Sequence, residues 1–156
     1  MLKTLLSPDT CAECRNCCIF EEKSAWEVPA FPESAVRKLK DKPEYKIRKD
    51  GTKFRIELPY GETHSAQPCP FLNSQTGCTL SPEEKPFACS VWPIRIMTDS
   101  CGRPALTLYN GCPGITSDMI PELKKLLDSG LRERIFSELK RDPTLLLPYH
   151  PNYIFL

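Results

Sequence analysis

A small, irregular α+β fold is predicted for this 156-residue chain by three observations. Apolar residues alternate on either side of Asp50-Gly51, residues 91–98 and 104–109 resemble a second β-pair, and the pattern switches to a helical period after residue 116. These signals indicate a metal-centred domain of short β-hairpins with two C-terminal helices.

Taken in order, residues 9–20 are predicted to be a loop or short helical turn whose main content is thiol. Residues 33–40 form a helix with Pro32 at its entry, where a missing N–H is harmless, and Ala35, Val36 and Leu39 give it a short apolar face. In the hairpin over 45–58, Tyr45 and Ile47 alternate with charge before the turn and Phe54, Ile56 and Leu58 alternate after it. A polar loop over 59–68 then delivers Cys69-Pro70-Phe71-Leu72 to the core.

Ser81, Pro82 and Glu84 have the pattern of a capping box with proline at the first helical position, which predicts a short helix carrying Cys89 near its end. The second β-pair is joined through Asp99-Ser100-Cys101-Gly102. From Ser117 onward Ile120, Leu123, Leu126 and Leu127 fall on one face, and Gly130 is placed to stop that helix. A second helix over 131–141 sets Leu131, Ile135 and Leu139 at steps of four, and Pro143 ends it. The apolar, proline-broken tail is expected to pack back on the domain rather than to dock a partner protein.

The length suits a single domain over 1–156, with the cysteine-rich part at about 9–115 and the helical part at about 116–156. Lys and Arg number 21 against 20 Asp and Glu, and neither sign forms a block, so there is no electrostatic case for nucleic acid or an anionic membrane. The N-terminal apolar run is too short for a secretory signal and no stretch approaches the roughly 20 apolar residues of a membrane span, so a cytoplasmic location is expected. Sixteen prolines against 7 glycines predict stiff connections.

Nine cysteines, about 6% of residues, fall below the roughly 8–10% of a secreted disulfide scaffold, and their number is odd. Concentrated thiols in a reducing compartment point instead to metal binding or redox chemistry. Cys11-x2-Cys14-x2-Cys17 is the informative spacing, because three thiols two residues apart wrap a loop around one centre, as in many cubane iron–sulfur clusters. Zinc more often draws on paired C-x2-C knuckles, whereas Cys69, Cys78, Cys89, Cys101 and Cys112 arrive singly. Cys18 follows Cys17 directly, and neighbouring side chains generally diverge, which predicts two centres or one centre plus a further thiol. Proline follows Cys69 and Cys112 and stiffens both loops.

These residues resemble the YkgJ-like cysteine-cluster proteins, also described as the CxxCxxCC or zinc- or iron-chelating family. The resemblance runs through Cys11, Cys14, Cys17 and Cys18, then Cys69-Pro70-Phe71-Leu72, Gly77-Cys78, Lys85 to Cys89, Trp92-Pro93 and Cys112-Pro113-Gly114, and so covers most of the first 115 residues. It implies ligands at Cys11, Cys14, Cys17, Cys18, Cys69, Cys78, Cys89 and Cys112, with Cys101 outside the pattern. The chain departs from the family at Lys85 and Ser90, where arginine is usual, and lacks the aromatic residue after Cys78. A similar cysteine block occurs in flagellin lysine methylases. The family supplies no agreed catalytic residues.

The sequence therefore predicts a metal-binding cysteine-cluster protein holding a [4Fe–4S] cluster, Zn2+, or both. A redox or cluster-dependent role, as an iron–sulfur oxidoreductase or an accessory subunit of one, stands beside two alternatives: a zinc-stabilised interaction module for a partner protein, and a metal-delivery protein. Cys101 is expected as a surface thiol, His64 and His150 as solvated side chains, Trp26 and Trp92 as shields of the centre, and Arg15, Lys23, Lys85 and Arg95 as cations that either offset thiolate charge or line a solvated face. No phosphate-binding glycine loop, Ser/His/Asp set or paired-carboxylate motif supports a hydrolase.

Overall fold

Leu2, Leu5 and residues 13–156 are described by the computed structural model, which is α+β. The chain divides between Cys89 and Ser90 into two units, one of residues 15–89 and one of residues 90–156 with the described residues before Arg15.

In residues 15–89, a 3-10 turn at Asn16–Cys18 leads directly into strand β1, Ile19–Phe20. Helix α1, Glu33–Val36, starts from Pro32 and tightens into a 3-10 turn at Arg37–Leu39, as short helix ends commonly do. Ala35, Val36 and Leu39 are buried, as the apolar face predicts. The hairpin is present as β2, Lys46–Asp50, and β3, Lys53–Glu57, with Ile47 opposite Ile56 and Asp50 opposite Lys53. Its two-residue loop is Gly51-Thr52, one position later than the dipeptide suggested. Gly51 takes the positive φ of 61° that the first loop position demands, and Asp50 turns its carboxylate to Arg55 at 2.6 Å.

Two further short ladders follow in the same unit. Strand β4, Gln67–Pro68, pairs antiparallel with β1, and β5, Leu72–Asn73, pairs with β6, Gly77–Cys78. The β5–β6 turn is held by Asn73, whose carboxamide oxygen accepts from the backbone N–H groups of Gln75 and Thr76. The core collects Phe20, Val28, Phe31, Ile56, Leu58 and Phe71 with the buried face of α1, and half-buried Cys69 packs against it.

The capping box at Ser81 forms as predicted: the Ser81 N–H donates to Glu84 Oε2 at 3.0 Å and the Glu84 N–H to Ser81 Oγ at 3.4 Å. It caps one turn only. Pro86 disfavours helical backbone at the residue before it, so the predicted helix breaks and restarts as α2, Phe87–Ser90, which carries Cys89.

In the other unit, β7, Ile94–Thr98, and β8, Pro104–Tyr109, pair antiparallel with Ile94 opposite Leu108 and Thr98 opposite Pro104. Four consecutive residues of β7 are buried, so both faces of that strand are covered. Asp99 fastens the connecting loop by accepting from the N–H groups of Cys101 and Arg103. Helices α3, Ile120–Leu126, and α4, Arg132–Arg141, bury Leu123 and Ile135, and the segment Leu127–Leu131 that joins them buries its two end residues, so the four follow at steps of four. Between them Gly130 stands at φ 113°, which stops the first helix where expected.

The tail packs back on this unit. Leu146–Leu147 (β9) runs parallel to β7 and Tyr153–Phe155 (β10) antiparallel to β8, completing a sheet of order β10-β8-β7-β9. Among the described residues, no helix is long and apolar enough to cross a membrane.

Candidate metal centre

Five of the expected ligands, Cys17, Cys18, Cys69, Cys78 and Cys89, belong to residues 15–89. The local fold explains how they meet. Arg15 adopts a left-handed φ of 52°, and the Cys18 N–H closes the following turn on the Arg15 carbonyl at 2.8 Å. Extended backbone at Ile19 then carries the chain away as β1. Cys17 and Cys18 sit at this change of direction, and their sulfurs lie 3.8 Å apart. The divergence expected of neighbouring side chains is therefore absent, because the rule describes regular backbone and this pair ends an isolated turn.

Pairing of β1 with β4 brings the second cysteine block alongside, and the Cys69 N–H donates to the Cys18 carbonyl at 2.7 Å. Cys69 is followed by a turn in which its own carbonyl accepts from the Leu72 N–H at 2.9 Å. Cys78 ends β6 opposite Leu72 and is exposed, while Cys89 sits half-buried on α2 with its N–H on the Pro86 carbonyl at 3.0 Å.

Burial pushes the Cys69 thiol up to about 12, and the charges of Cys89, Cys78 and Cys17 push in the same direction, so all three lie within electrostatic range of it. Three cysteines distant in sequence thus act electrostatically on one half-buried thiol. Tyr45, which the pattern marked only as a hairpin residue, belongs to the same neighbourhood. Its hydroxyl is shifted upward by burial first, then by Glu44 and by Cys69. A side chain that serves a site from an alternating strand carries no separate sequence signal.

The remaining candidates fall elsewhere. Cys11 lies outside the described residues. Cys14 is exposed and Cys112 half-buried, and both belong to the other unit. Cys101 is exposed in the β7–β8 turn, as expected. His64 is exposed and meets the Glu22 carboxylate, and His150 Nδ1 accepts from the Asn152 N–H at 3.3 Å. Lys23 pairs with Glu21 at 2.7 Å in solvent. Arg95 is buried with its guanidinium 4.4 Å from the Trp92 ring, which in turn packs against Tyr109. A cavity of about 500 Å3 in residues 15–89 is lined by Glu22, Glu44, Lys46, Glu57 and Tyr60 and by none of the cysteines.

The donor set suits a thiophilic ion. The eight described cysteines are thiols rather than disulfides, and a buried thiol that resists ionisation on its own becomes a thiolate beside a cation. Cys17, Cys69, Cys78 and Cys89 would supply four sulfurs, the number taken by zinc or by one cubane cluster. Among the described residues, no three Cys, His, Asp or Glu side chains already form a group that could hold a metal ion. No family model, curated protein or solved structure matches the chain.

Proposed function

We propose that this chain is a metal-binding cysteine-cluster protein whose centre is built from the thiolates of residues 15–89. Supporting this reading are the 3.8 Å separation of the Cys17 and Cys18 sulfurs and the backbone bond that fastens Cys69 to Cys18. Thiols held side by side without a cation repel once more than one of them ionises, so their juxtaposition makes physical sense as part of a ligand set.

Two occupants suit these sulfurs. The C-x2-C-x2-C spacing favours a [4Fe–4S] cluster, which supplies one-electron transfer and gives the protein a redox or cluster-dependent role in an oxidoreductase or beside one. The contact between Cys17 and Cys18 favours a single tetrahedral ion such as Zn2+, which cross-links the fold and gives an interaction module for a partner protein. In either case the chain's own residues do similar work. The β1–β4 ladder and the Cys69–Cys18 hydrogen bond hold two ligand blocks together, Pro70 stiffens the loop after Cys69, and the Phe31–Phe71 pair walls the site with apolar surface. Reduced thiols of this kind belong in the cytoplasm.

The test is purification without oxygen, followed by a visible spectrum and assays of iron, sulfide and zinc per chain. Stoichiometric iron with sulfide and a brown colour establishes the cluster, and stoichiometric zinc in a colourless protein establishes the structural ion. A folded protein that takes up neither metal when reconstituted sinks the proposal.

A further inference from the structure

We infer that the β2–β3 hairpin is a docking surface for double-stranded DNA, which it holds by the phosphate backbone without reading sequence. Residues 37–57 carry nine of the 21 Lys and Arg against four Asp and Glu, a local excess of +5 in a chain whose total is +1. The overall balance, which by itself makes no electrostatic case for nucleic acid, is therefore uneven along the chain.

The register of the hairpin sorts these charges by face. Side chains alternate along each strand, so Lys46, Arg48 and Asp50 share a face with their partners Glu57, Arg55 and Lys53, while Ile47 and Ile56 stand on the other. Ile56 is buried in the core, which turns the charged face outward. On that face Arg48 stands directly opposite Arg55. Like charges so placed destabilise a strand pair. Protection of an open edge does not account for them, because β3 meets Phe31 on its far side and only β2 is open. An anion between the two guanidiniums removes the repulsion, and phosphate suits the arginine fork. Asp50 engages Arg55 through Nε at 2.6 Å, which steadies the side chain and leaves its terminal nitrogens for a ligand. Among the described residues, Arg48 and Lys53 form no ion pair.

The shape of the surface selects the partner. Successive residues on one face of a strand stand about 6.8 Å apart, twice the rise of about 3.4 Å, which is close to the step between neighbouring phosphates. A two-stranded ribbon fits the major groove of B-form DNA, whereas that of duplex RNA is too narrow. The outward face carries no aromatic ring on which single-stranded bases could stack, and no apolar side chain to enter a bilayer.

The experiment is fluorescence anisotropy of a labelled DNA duplex two helical turns long, titrated with the full-length, reduced protein over a range of salt. Dissociation constants of about 10⁻⁴–10⁻⁶ M near physiological salt are expected, alike for unrelated sequences. The three or so phosphates that this face can neutralise should give log K against log salt a slope of about −3. Arg48→Gln with Lys53→Gln is expected to weaken binding about tenfold or more and to flatten the slope by about 2. Lys124→Gln with Lys140→Gln removes the same charge from exposed positions on α3 and α4 and is expected to bind like the wild type. Because the arginines repel, Arg48→Gln alone should leave the DNA-free protein at least as stable as the wild type, which separates lost binding from lost fold.

Absence of duplex binding at low salt overturns the inference, as does equal weakening by the two double substitutions. A fall in stability for Arg48→Gln overturns the role given to the arginine pair. Tighter binding to single-stranded DNA, to duplex RNA or to vesicles of anionic phospholipid overturns the choice of partner. None of these results bears on the thiol centre, which stands or falls on metal content.

Discussion

The Cys69 N–H donates to the carbonyl of Cys18 at 2.7 Å, so two cysteine blocks far apart in sequence are fastened by their main chains. The β1–β4 ladder therefore sets how closely these two cysteine blocks approach. The rest of the unit depends on that junction too. Cys69 lies against the core around Phe20, Phe31 and Phe71, where an ion bound to it would act as a cross-link.

Cys69→Ser is accordingly expected to cut metal uptake below about a tenth of the wild-type level, since structural zinc sites contribute about 10–16 kcal/mol of apparent binding energy that a three-thiolate remnant does not recover. Inductively coupled plasma analysis of the purified variant checks this. The thermal midpoint should fall with the metal content, and wild-type protein treated with a chelator should fall to the same value. A variant that keeps a full complement of metal refutes the central place given to this sulfur.

Phe31 is 1% exposed and its ring centroid lies 5.1 Å from that of Phe71, while its backbone exchanges hydrogen bonds of 2.8 and 2.9 Å with Phe54. Phe31→Ala leaves both backbone bonds available but removes the ring, and is expected to destabilise residues 15–89 by about 3–5 kcal/mol, the usual range for a buried phenylalanine. Urea denaturation of the metal-free protein measures it without interference from the ion. A change below about 1 kcal/mol would mean that the cavity collapses, and that the wall behind Cys69 is soft.

Elements that a local rule determines alone are legible in the sequence. Period-two alternation marks β2 and β3, residues 91–98 and 104–109 resemble the β-pair that β7 and β8 form, and the spacings of Ile120, Leu123, Leu126 and Leu127 and of Leu131, Ile135 and Leu139 mark the two C-terminal helices. The capping box at Ser81 is equally plain, but Pro86 disfavours helical backbone at Lys85 and leaves only Phe87–Ser90 as helix. Strands of two or three residues have no period to detect, so β1, β4, β9 and β10 were invisible although they pair distant segments. The site shows the same division. Spacing and resemblance name the candidate cysteines, whereas the close approach of Cys18 to Cys17 depends on how one turn ends at Ile19.

Glu84 gives a pH-dependent prediction outside the thiol cluster. Its carboxylate is held below the usual range, first by the hydrogen bond from Lys38 at 2.7 Å and then by the Ser81 N–H at 3.0 Å. A carboxylate whose folded pKa is depressed binds fewer protons in the native than in the unfolded state, so its contribution is full above the unfolded value of about 4.5 and is lost as pH falls through the lower folded value. Glu84→Gln should thus be less stable than the wild type at neutral pH and should converge with it in acid, below pH 4. Denaturation midpoints across that range check the sign. Curves that stay parallel would show that the Lys38 and Ser81 contacts do not outlast solvent competition.

Gly130 reverses a familiar expectation. In an ordinary helix interior glycine is the weaker choice, and alanine stabilises by about 0.5–1 kcal/mol. Here the residue sits at φ 113° between α3 and α4, a backbone region that a side chain strongly resists, even though nothing lies within 4 Å of where a Cβ would stand. The obstacle is therefore the residue's own backbone and not its surroundings. Gly130→Ala should destabilise the protein by about 1 kcal/mol or more, because the substituted residue is incompatible with the native φ. Two readouts separate the causes. Chemical denaturation gives the loss of stability, and circular dichroism should show unchanged or higher helical content, as the strained residue pulls toward a right-handed conformation that would run α3 into α4. If the variant is instead more stable than the wild type, the break at Gly130 is a compliant hinge that alanine straightens without loss of the buried Leu127 and Leu131 contacts.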